Sequence, residues 1–252
     1  MLNLFLISNS TNFGESYLSW TKEYIKTFCN KYGVKSALFI PYAGINIKPK
    51  DYAPDTKFTL KVSYDAYELK VSEVFNELGI KLHSIHHHRN PIEAVINAEC
   101  IVVGGGNTFH LVYMLHKTGL MEAIRERTIN GTPYIGWSAG SNIACPTMKT
   151  TNDMPVIEPE SLNCLNLVPF QINPHYTEQT LSGHGGETRR DRILEFLAVN
   201  RNIYVVGLKE RCILHVKDDD VTLIGPHTLK IFKYGMEMDL SADQNLNFLM
   251  KK

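Results

Sequence analysis

The chain has 252 residues, 44% of them hydrophobic and 21% charged, with 26 basic side chains against 26 acidic ones. This is the composition of an ordinary globular protein with enough residues for one substantial core, and a formal net charge of zero excludes a bulk electrostatic attraction to nucleic acid or membrane. No apolar run approaches membrane-spanning length, and five cysteines without a C-x-x-C pair point to free thiols in a reducing, cytoplasmic compartment.

Leu2 to Ser8 reads as a first strand, apolar but too short for a signal peptide and without its cationic lead. From Glu15 to Tyr32 the residues Tyr17, Trp20, Tyr24, Ile25 and Phe28 recur at helical spacing, and Gly33 stops the run. Ala37 to Ile40, ended by Pro41, is a second strand, followed by a polar, aperiodic loop from Tyr42 to about Lys57. Tyr67, Val71, Val74, Phe75 and Leu78 mark a second amphipathic helix. A third strand over Ile80 to Ile85, a short helix over Pro91 to Ala98 and a fourth strand over Cys100 to Val103 continue the alternation.

Strands and helices taking turns predict an α/β fold: a mostly parallel, doubly wound sheet with helices on both faces and ligands at the carboxyl ends of the strands. Ile203 to Leu208 is a later strand. Cys212 to Val216, Val221 to Ile224 and Thr228 to Tyr234, joined by polar turns, read as a terminal antiparallel meander. One domain over residues 1–252 accounts for the whole pattern, with the tail from 236 onward matching nothing and read as extra helix or disorder.

Gly136-Trp137-Ser138-Ala139-Gly140 follows the apolar run Pro133 to Ile135 and precedes Asn142 to Ala144, which can open a helix. That is the setting of a nucleophile elbow, where small neighbours let the backbone double back under a strained serine. By itself G-x-S-x-G is a weak signal, since small residues are common in turns. Gly104 to Gly106 end the fourth strand ahead of Asn107-Thr108, which can cap a helix through Phe109, Leu111 and Met114. Their spacing is neither G-x-G-x-x-G nor a lysine-bearing phosphate loop. If the elbow ends an adjacent strand, the amides of Gly106 and Ala139 can converge on the oxygen of a tetrahedral intermediate.

A serine needs a base. His175 closes the strand-like run Gln171-Ile172-Asn173-Pro174, where a rigid turn aims its ring, although a polar loop histidine is the ordinary alternative. His86, His87 and His88 are conspicuous, but three consecutive rings in a loop cannot all face one metal, which argues against a metal site built from that run. His184 lies in a glycine-rich loop that can line a substrate site. Two carboxylates compete to orient the base: Asp153, in a turn-like segment, and Glu210, just past a strand end beside Lys209. The residues alone do not choose between them.

Taken in order, Ser8-Asn9-Ser10, Val103 to Phe109, the Ser138 elbow, Thr151-Asn152-Asp153-Met154-Pro155 and Gln171 to His175 resemble the peptidase E family of cytoplasmic α-aspartyl dipeptidases. The resemblance runs from Leu2 to about Gly235 and implies a fold like the class I glutamine amidotransferases, with serine where those enzymes carry cysteine. It implies hydrolysis of Asp-X dipeptides with no metal and no other cofactor. It implies Ser138 as nucleophile, His175 as base, Gly106 and Ala139 as oxyanion donors, and either Asp153 or Glu210 as the orienting acid. It also assigns selectivity to Arg189, whose guanidinium suits the carboxylate of an amino-terminal aspartate. Taken without it, Arg189 begins a helix with Arg190 and Arg192, where exposed arginines are routine.

Three rival readings remain at this level. An α/β-hydrolase esterase shares the elbow, a relative acting on cyanophycin shares the family traits, and an amidotransferase-like module could bind ligand without catalysis. The expected partner is a small-molecule dipeptide rather than nucleic acid or membrane, and a homo-oligomer is compatible with the sequence.

Overall fold

A computed structural model describes residues 1–45, 59–179 and 185–251. His184 and most of the loop expected over Tyr42 to Lys57 lie outside the described residues. Strands β1 (Asn3–Ile7), β2 (Ser36–Ile40), β3 (Lys81–Ser84), β4 (Ile101–Val103) and β5 (Tyr134–Trp137) form the parallel part of a seven-stranded sheet in the order β3-β2-β4-β5-β1. Period-two alternation splits their side chains between two cores. Leu4, Leu6, Leu38, Ile40, Ile101, Val103 and Tyr134 enter one core, while Phe5, Ile7, Ala37, Phe39, Val102, Ile135 and Trp137 enter the other. Both faces are therefore buried, as a helix-covered parallel sheet requires.

Helices α1 (Lys22–Lys31), α2 (Leu60–Glu77), α3 (Pro91–Ile96), α4 (Thr108–Lys117) and α5 (Leu120–Ile129) connect these strands, and the one-turn α6 (Ala139–Asn142) follows β5. Their starts follow capping chemistry. Thr59 Oγ1 accepts from Val62 N, Asn90 Oδ1 from Glu93 N and Asn107 Oδ1 from His110 N. The first helix is shorter than the helical spacing from Glu15 suggests. Leu18 is buried with φ of 54°, its N–H bonded to Ser10 O at 2.8 Å, and a left-handed residue cannot continue an α-helix. A 3₁₀ turn at Ser19–Thr21 bridges from there to α1.

The second half adds strands β6 (Gln171–Tyr176), β7 (Val205–Lys209), β8 (Ile213–Lys217), β9 (Asp220–Ile224), β10 (Leu229–Lys233) and β11 (Met236–Leu240), with α7 (Arg189–Val199) between β6 and β7. The terminal strands pair antiparallel as expected, but they are shared between two sheets. The β8–β9 hairpin extends the main sheet beside β1, whereas β10 and β11 join β7 and β6 in a four-stranded sheet. The tail from 236 is neither a long helix nor loose chain. It forms β11 and then a 3₁₀ turn at Asn247–Met250 that buries Leu249, preceded by buried Leu246. No described helix is long and apolar enough to cross a membrane.

Candidate active site

Parallel pairing brings the sequence motifs together. Val103 of β4 stands opposite Gly136 of β5, and Ile7 of β1 opposite Trp137, so Gly104–Gly106, Ser138 and Ser8–Ser10 all leave the sheet at the same carboxyl edge. Ser138 has φ of 54° and ψ of −111°, a conformation that non-glycine residues occupy only when their surroundings enforce it. The enforcement is visible: Ser138 N–H donates to Ile7 O at 3.0 Å, while Ser138 O accepts from Ser141 N at 3.0 Å and Asn142 N at 2.9 Å. The helix opens directly behind the serine rather than at Asn142. Gly140 packs on the last residue of β4, where a Cβ would overlap the Val103 carbonyl.

His175 reaches the serine from the second sheet. Pro174 of β6 pairs with Leu208 of β7, and the register shifts at His175 so that Tyr176 pairs with Lys209. This bulge turns His175 out of the strand at φ of 54°. Its N–H donates to Ser8 Oγ at 3.0 Å, Ser8 Oγ donates to Leu208 O at 2.8 Å, and Asn152 Nδ2 donates to Pro174 O at 2.8 Å. The ring then lies with Nε2 2.9 Å from Ser138 Oγ and Nδ1 2.9 Å from Glu210 Oε1.

Glu210 follows β7 as His175 interrupts β6, so the parallel β6–β7 pair sets both. The Arg211 N–H, donated to Asn9 Oδ1 at 2.9 Å, pins the turn that presents the carboxylate. Its side chain is 53% exposed, which leaves the pair partly screened by solvent. Asp153 is engaged elsewhere. Its Oδ2 accepts from Thr108 N at 2.7 Å, Thr108 Oγ1 at 2.5 Å and Thr151 Oγ1 at 3.0 Å, which places an anion at the N-terminus of α4. The structure thus brings Glu210, and not Asp153, to His175.

The glycine loop faces the elbow across a cleft of about 440 Å³ bordered by Ser138, His175, Gly105, Gly106, Asp153 and Lys70. Gly106 has φ of 135° and a Cβ there would overlap the Ala43 carbonyl, so no other residue fits. Among the described residues the N–H groups of Gly105, Gly106 and Ala139 have no acceptor, while those of Gly104 and Asn107 on either side of the loop are bonded to Ile40 O and Ala43 O. Amide donors on both the glycine loop and the elbow, those of Gly106 and Ala139 among them, are therefore left around Ser138.

Sequence reasoning missed the residue that holds this loop. Tyr67 fits the apolar stripe of α2, yet its hydroxyl donates to Gly105 O at 2.9 Å and accepts from Trp137 Nε1 at 3.0 Å and Tyr17 OH at 3.0 Å. Burial pushes its pKa up to about 12, keeping the hydroxyl a neutral donor at physiological pH. The Gly105 carbonyl and the Gly106 N–H belong to one peptide plane, so Tyr67 fixes the donor from its far side. A tyrosine at a buried helical position is itself the signal, because its hydroxyl must find a partner.

Arg189 is the first residue of α7, behind the Thr188–Asp191 capping box. It borders one cleft with Asn152, Asp153 and Thr177 and another with His175 and Glu210. Among the described residues it forms no ion pair. Burial pulls its pKa below the usual arginine value, with Asp153 opposing the shift and Arg192 adding to it. A half-buried guanidinium without a partner, near an engaged carboxylate, is equipped to take an anionic group from a ligand.

Residues 4–224 match the family model of peptidase family S51. A protein named Peptidase E from Nostoc sp. is 48% identical over 250 residues, covering 99% of this chain and 97% of its own. A Peptidase E from Salmonella arizonae is 41% identical over 236 residues, covering 94% of this chain and 96% of its own. The crystal structure of a peptidase from an acI-B1 Actinobacterium shares the fold, with a TM-score of 0.67 at 17% identity over 97% of this chain and 96% of that one.

Proposed function

Because the chain belongs to peptidase family S51, we propose that it is a serine dipeptidase that removes an amino-terminal aspartate from Asp-X dipeptides. The observation that carries this reading is the unbroken relay Ser138 Oγ–His175–Glu210, with both links at 2.9 Å. Arg189 grips the aspartyl side chain through two parallel hydrogen bonds, and neutral or longer side chains cannot repeat that fit. Ser138 Oγ attacks the peptide carbonyl as His175 Nε2 takes its proton, and Glu210 stabilises the imidazolium through Nδ1. The Gly106 and Ala139 amides receive the oxyanion. Collapse of the tetrahedral intermediate breaks the C–N bond, with His175 returning the proton to the leaving amine. Water, activated by the same imidazole, then hydrolyses the aspartyl ester and frees Ser138.

The whole chain acts as one peptidase domain in this reading, since the nucleophile lies on the seven-stranded sheet and the base on the four-stranded one. Five free, buried cysteines support a reducing, cytoplasmic setting. A dipeptide panel tests the proposal. Asp-Leu should be cleaved and Glu-Leu and Asn-Leu spared, and Ser138→Ala should remove the activity without loss of fold. Equal turnover of all three peptides, or a fully active Ser138→Ala variant, rules the proposal out.

A further inference from the structure

A second cluster of chemically able side chains lies at the carboxyl end of β3. Asp65 and Glu68, one helical turn apart on α2, face His86 and His87 of the 3₁₀ turn that follows β3. His86 Nε2 is 2.8 Å from Asp65 Oδ1, and His87 Nε2 is 2.6 Å from Glu68 Oε2 and 3.5 Å from Asp65 Oδ1. One donor atom from each of the four side chains lies within 4.8 Å of all the others. His88 does not join them; its ring faces His83 at 5.9 Å. Two rings of the histidine run therefore converge, and carboxylates from a distant helix complete a set that the run alone could not supply.

The cluster has an ordered outer layer. Ser84 is fully buried and serves two of the four groups: its N–H donates to Glu68 Oε1 at 2.9 Å, and its Oγ lies 2.6 Å from His86 Nδ1. Ser84 Oγ also lies 3.4 Å from the Phe39 carbonyl, to which it can donate, so with Nε2 given up to a metal it would accept the Nδ1–H of His86. That tautomer leaves a lone pair on Nε2, aimed at the cluster. Glu68 is likewise left with Oε2 facing the same point. Outer partners that fix the ring and carboxylate orientation are what a metal-binding set requires, and a chance surface cluster lacks them.

We propose that Asp65, Glu68, His86 and His87 form a zinc site distinct from the catalytic centre. Two imidazoles disfavour magnesium and calcium, and a four-ligand nitrogen and oxygen set suits zinc. Tetrahedral ligands about 2.1 Å from zinc lie roughly 3.4 Å apart, so the contacts of 2.6 to 3.5 Å change by less than about 1 Å and the widest spacings, up to 4.8 Å, contract by up to about 1.4 Å. The metal takes the place of the protons now shared between imidazole and carboxylate, which leave to solvent. Lys61 Nζ, 2.9 and 2.8 Å from the two Asp65 oxygens, competes for one ligand, and as a 65% exposed side chain it can swing away. Occupation would tie α2 to the end of β3, and α2 carries Tyr67.

Isothermal titration of the full, chelator-stripped chain with zinc chloride tests the site. The expected result is one saturable equivalent, with affinity weakened at least about 10-fold by His86→Asn and by Glu68→Gln, and about 10- to 100-fold by Ser84→Ala. Lys61→Met should bind as tightly as the parent or tighter. Zinc at about 100 times its Kd should raise the parent's Tm by roughly 5 to 10 °C. Cobalt in the unmodified chain should give a tetrahedral visible spectrum without a thiolate charge-transfer band, a readout that needs no variant to fold. Absence of stoichiometric binding, unchanged affinity in both ligand variants, or a thiolate band from a cysteine site would each overturn the proposal.

Discussion

Glu210 Oε1 lies 2.9 Å from His175 Nδ1, on the side of the ring opposite Ser138. The contact follows from a single pairing, Pro174 of β6 against Leu208 of β7, which puts the bulged histidine and the residue after β7 side by side. Glu210→Gln keeps the shape but removes the charge that stabilises an imidazolium. For a buried acid that loss is about 10⁴-fold in kcat; with the Glu210 side chain 53% exposed, about 10²-fold is expected here. Asp153→Asn should lower kcat far less, because its bonds run to Thr108 and Thr151. Steady-state kinetics of both variants on Asp-Leu separate the two acids, and a larger kcat loss in Asp153→Asn would reverse their assignment.

Arg189 governs which peptides are accepted. A bidentate, charge-assisted grip is worth about 1.5 to 3 kcal/mol, so Arg189→Met should lower kcat/KM for Asp-Leu by about 10- to 100-fold. Arg189→Lys keeps the charge and loses the planar fork, and it should recover only part of the activity. Full activity in either variant would remove the guanidinium from the specificity site.

Asp153→Asn carries a second expectation, in stability. Its carboxylate accepts two hydrogen bonds from Thr108 at the start of α4 and one from Thr151, and neutralising it should cost about 1 kcal/mol. Denaturant unfolding with an unchanged m-value checks this, and a midpoint equal to the parent's would show that Thr108 and Thr151 find other partners.

The turn-taking of short apolar runs and amphipathic helices made the parallel sheet legible, and the run Leu4 to Ile7 is apolar throughout because its side chains divide between two buried cores. The elbow and the glycine loop were legible for the same reason: their chemistry is written in adjacent residues. What sequence left undecided was pairing over distance. Asp153 and Glu210 look equally able until β6 lies beside β7, and the strand after Thr228 looks continuous with the preceding hairpin until β10 joins a different sheet. Leu18 gave no warning that it would turn left-handed and cut the first helix short, since the hydrogen bond to Ser10 that holds it there belongs to the folded loop.

Tyr67 offers a test of the oxyanion donor that does not touch it. Tyr67→Phe leaves the buried Trp137 Nε1–H without its acceptor and frees the Gly105 carbonyl, at a cost of about 1 to 3 kcal/mol. For a chain of this size that corresponds to a fall in Tm of roughly 2 to 12 °C. The Gly106 N–H, in the same peptide plane as that carbonyl, loses its fixed direction, so kcat should drop about 10-fold or more while KM changes little. An unaltered kcat in a destabilised variant would show that the glycine loop holds its shape without the tyrosine.

Ser138→Cys tests whether the elbow alone presents a reactive group. All five native cysteines are buried and free of disulfides; burial pushes the thiols of Cys145, Cys164 and Cys212 up, and a hydrogen bond with Cys29 followed by burial does so for Cys100, disfavouring the thiolate that reacts. The folded parent should therefore resist alkylation near neutral pH and expose its thiols only on unfolding. A cysteine at position 138 would sit at the cleft, beside His175 Nε2 and the unbonded amides of the glycine loop and elbow, all of which favour its anion. Iodoacetamide should then label the folded variant once, at a rate that persists below the ordinary thiol pKa of about 8.5, and His175→Ala in the same background should slow it. Rapid labelling of the parent, or a variant no faster than the parent, would mean that the strained turn does not present position 138 to the cleft.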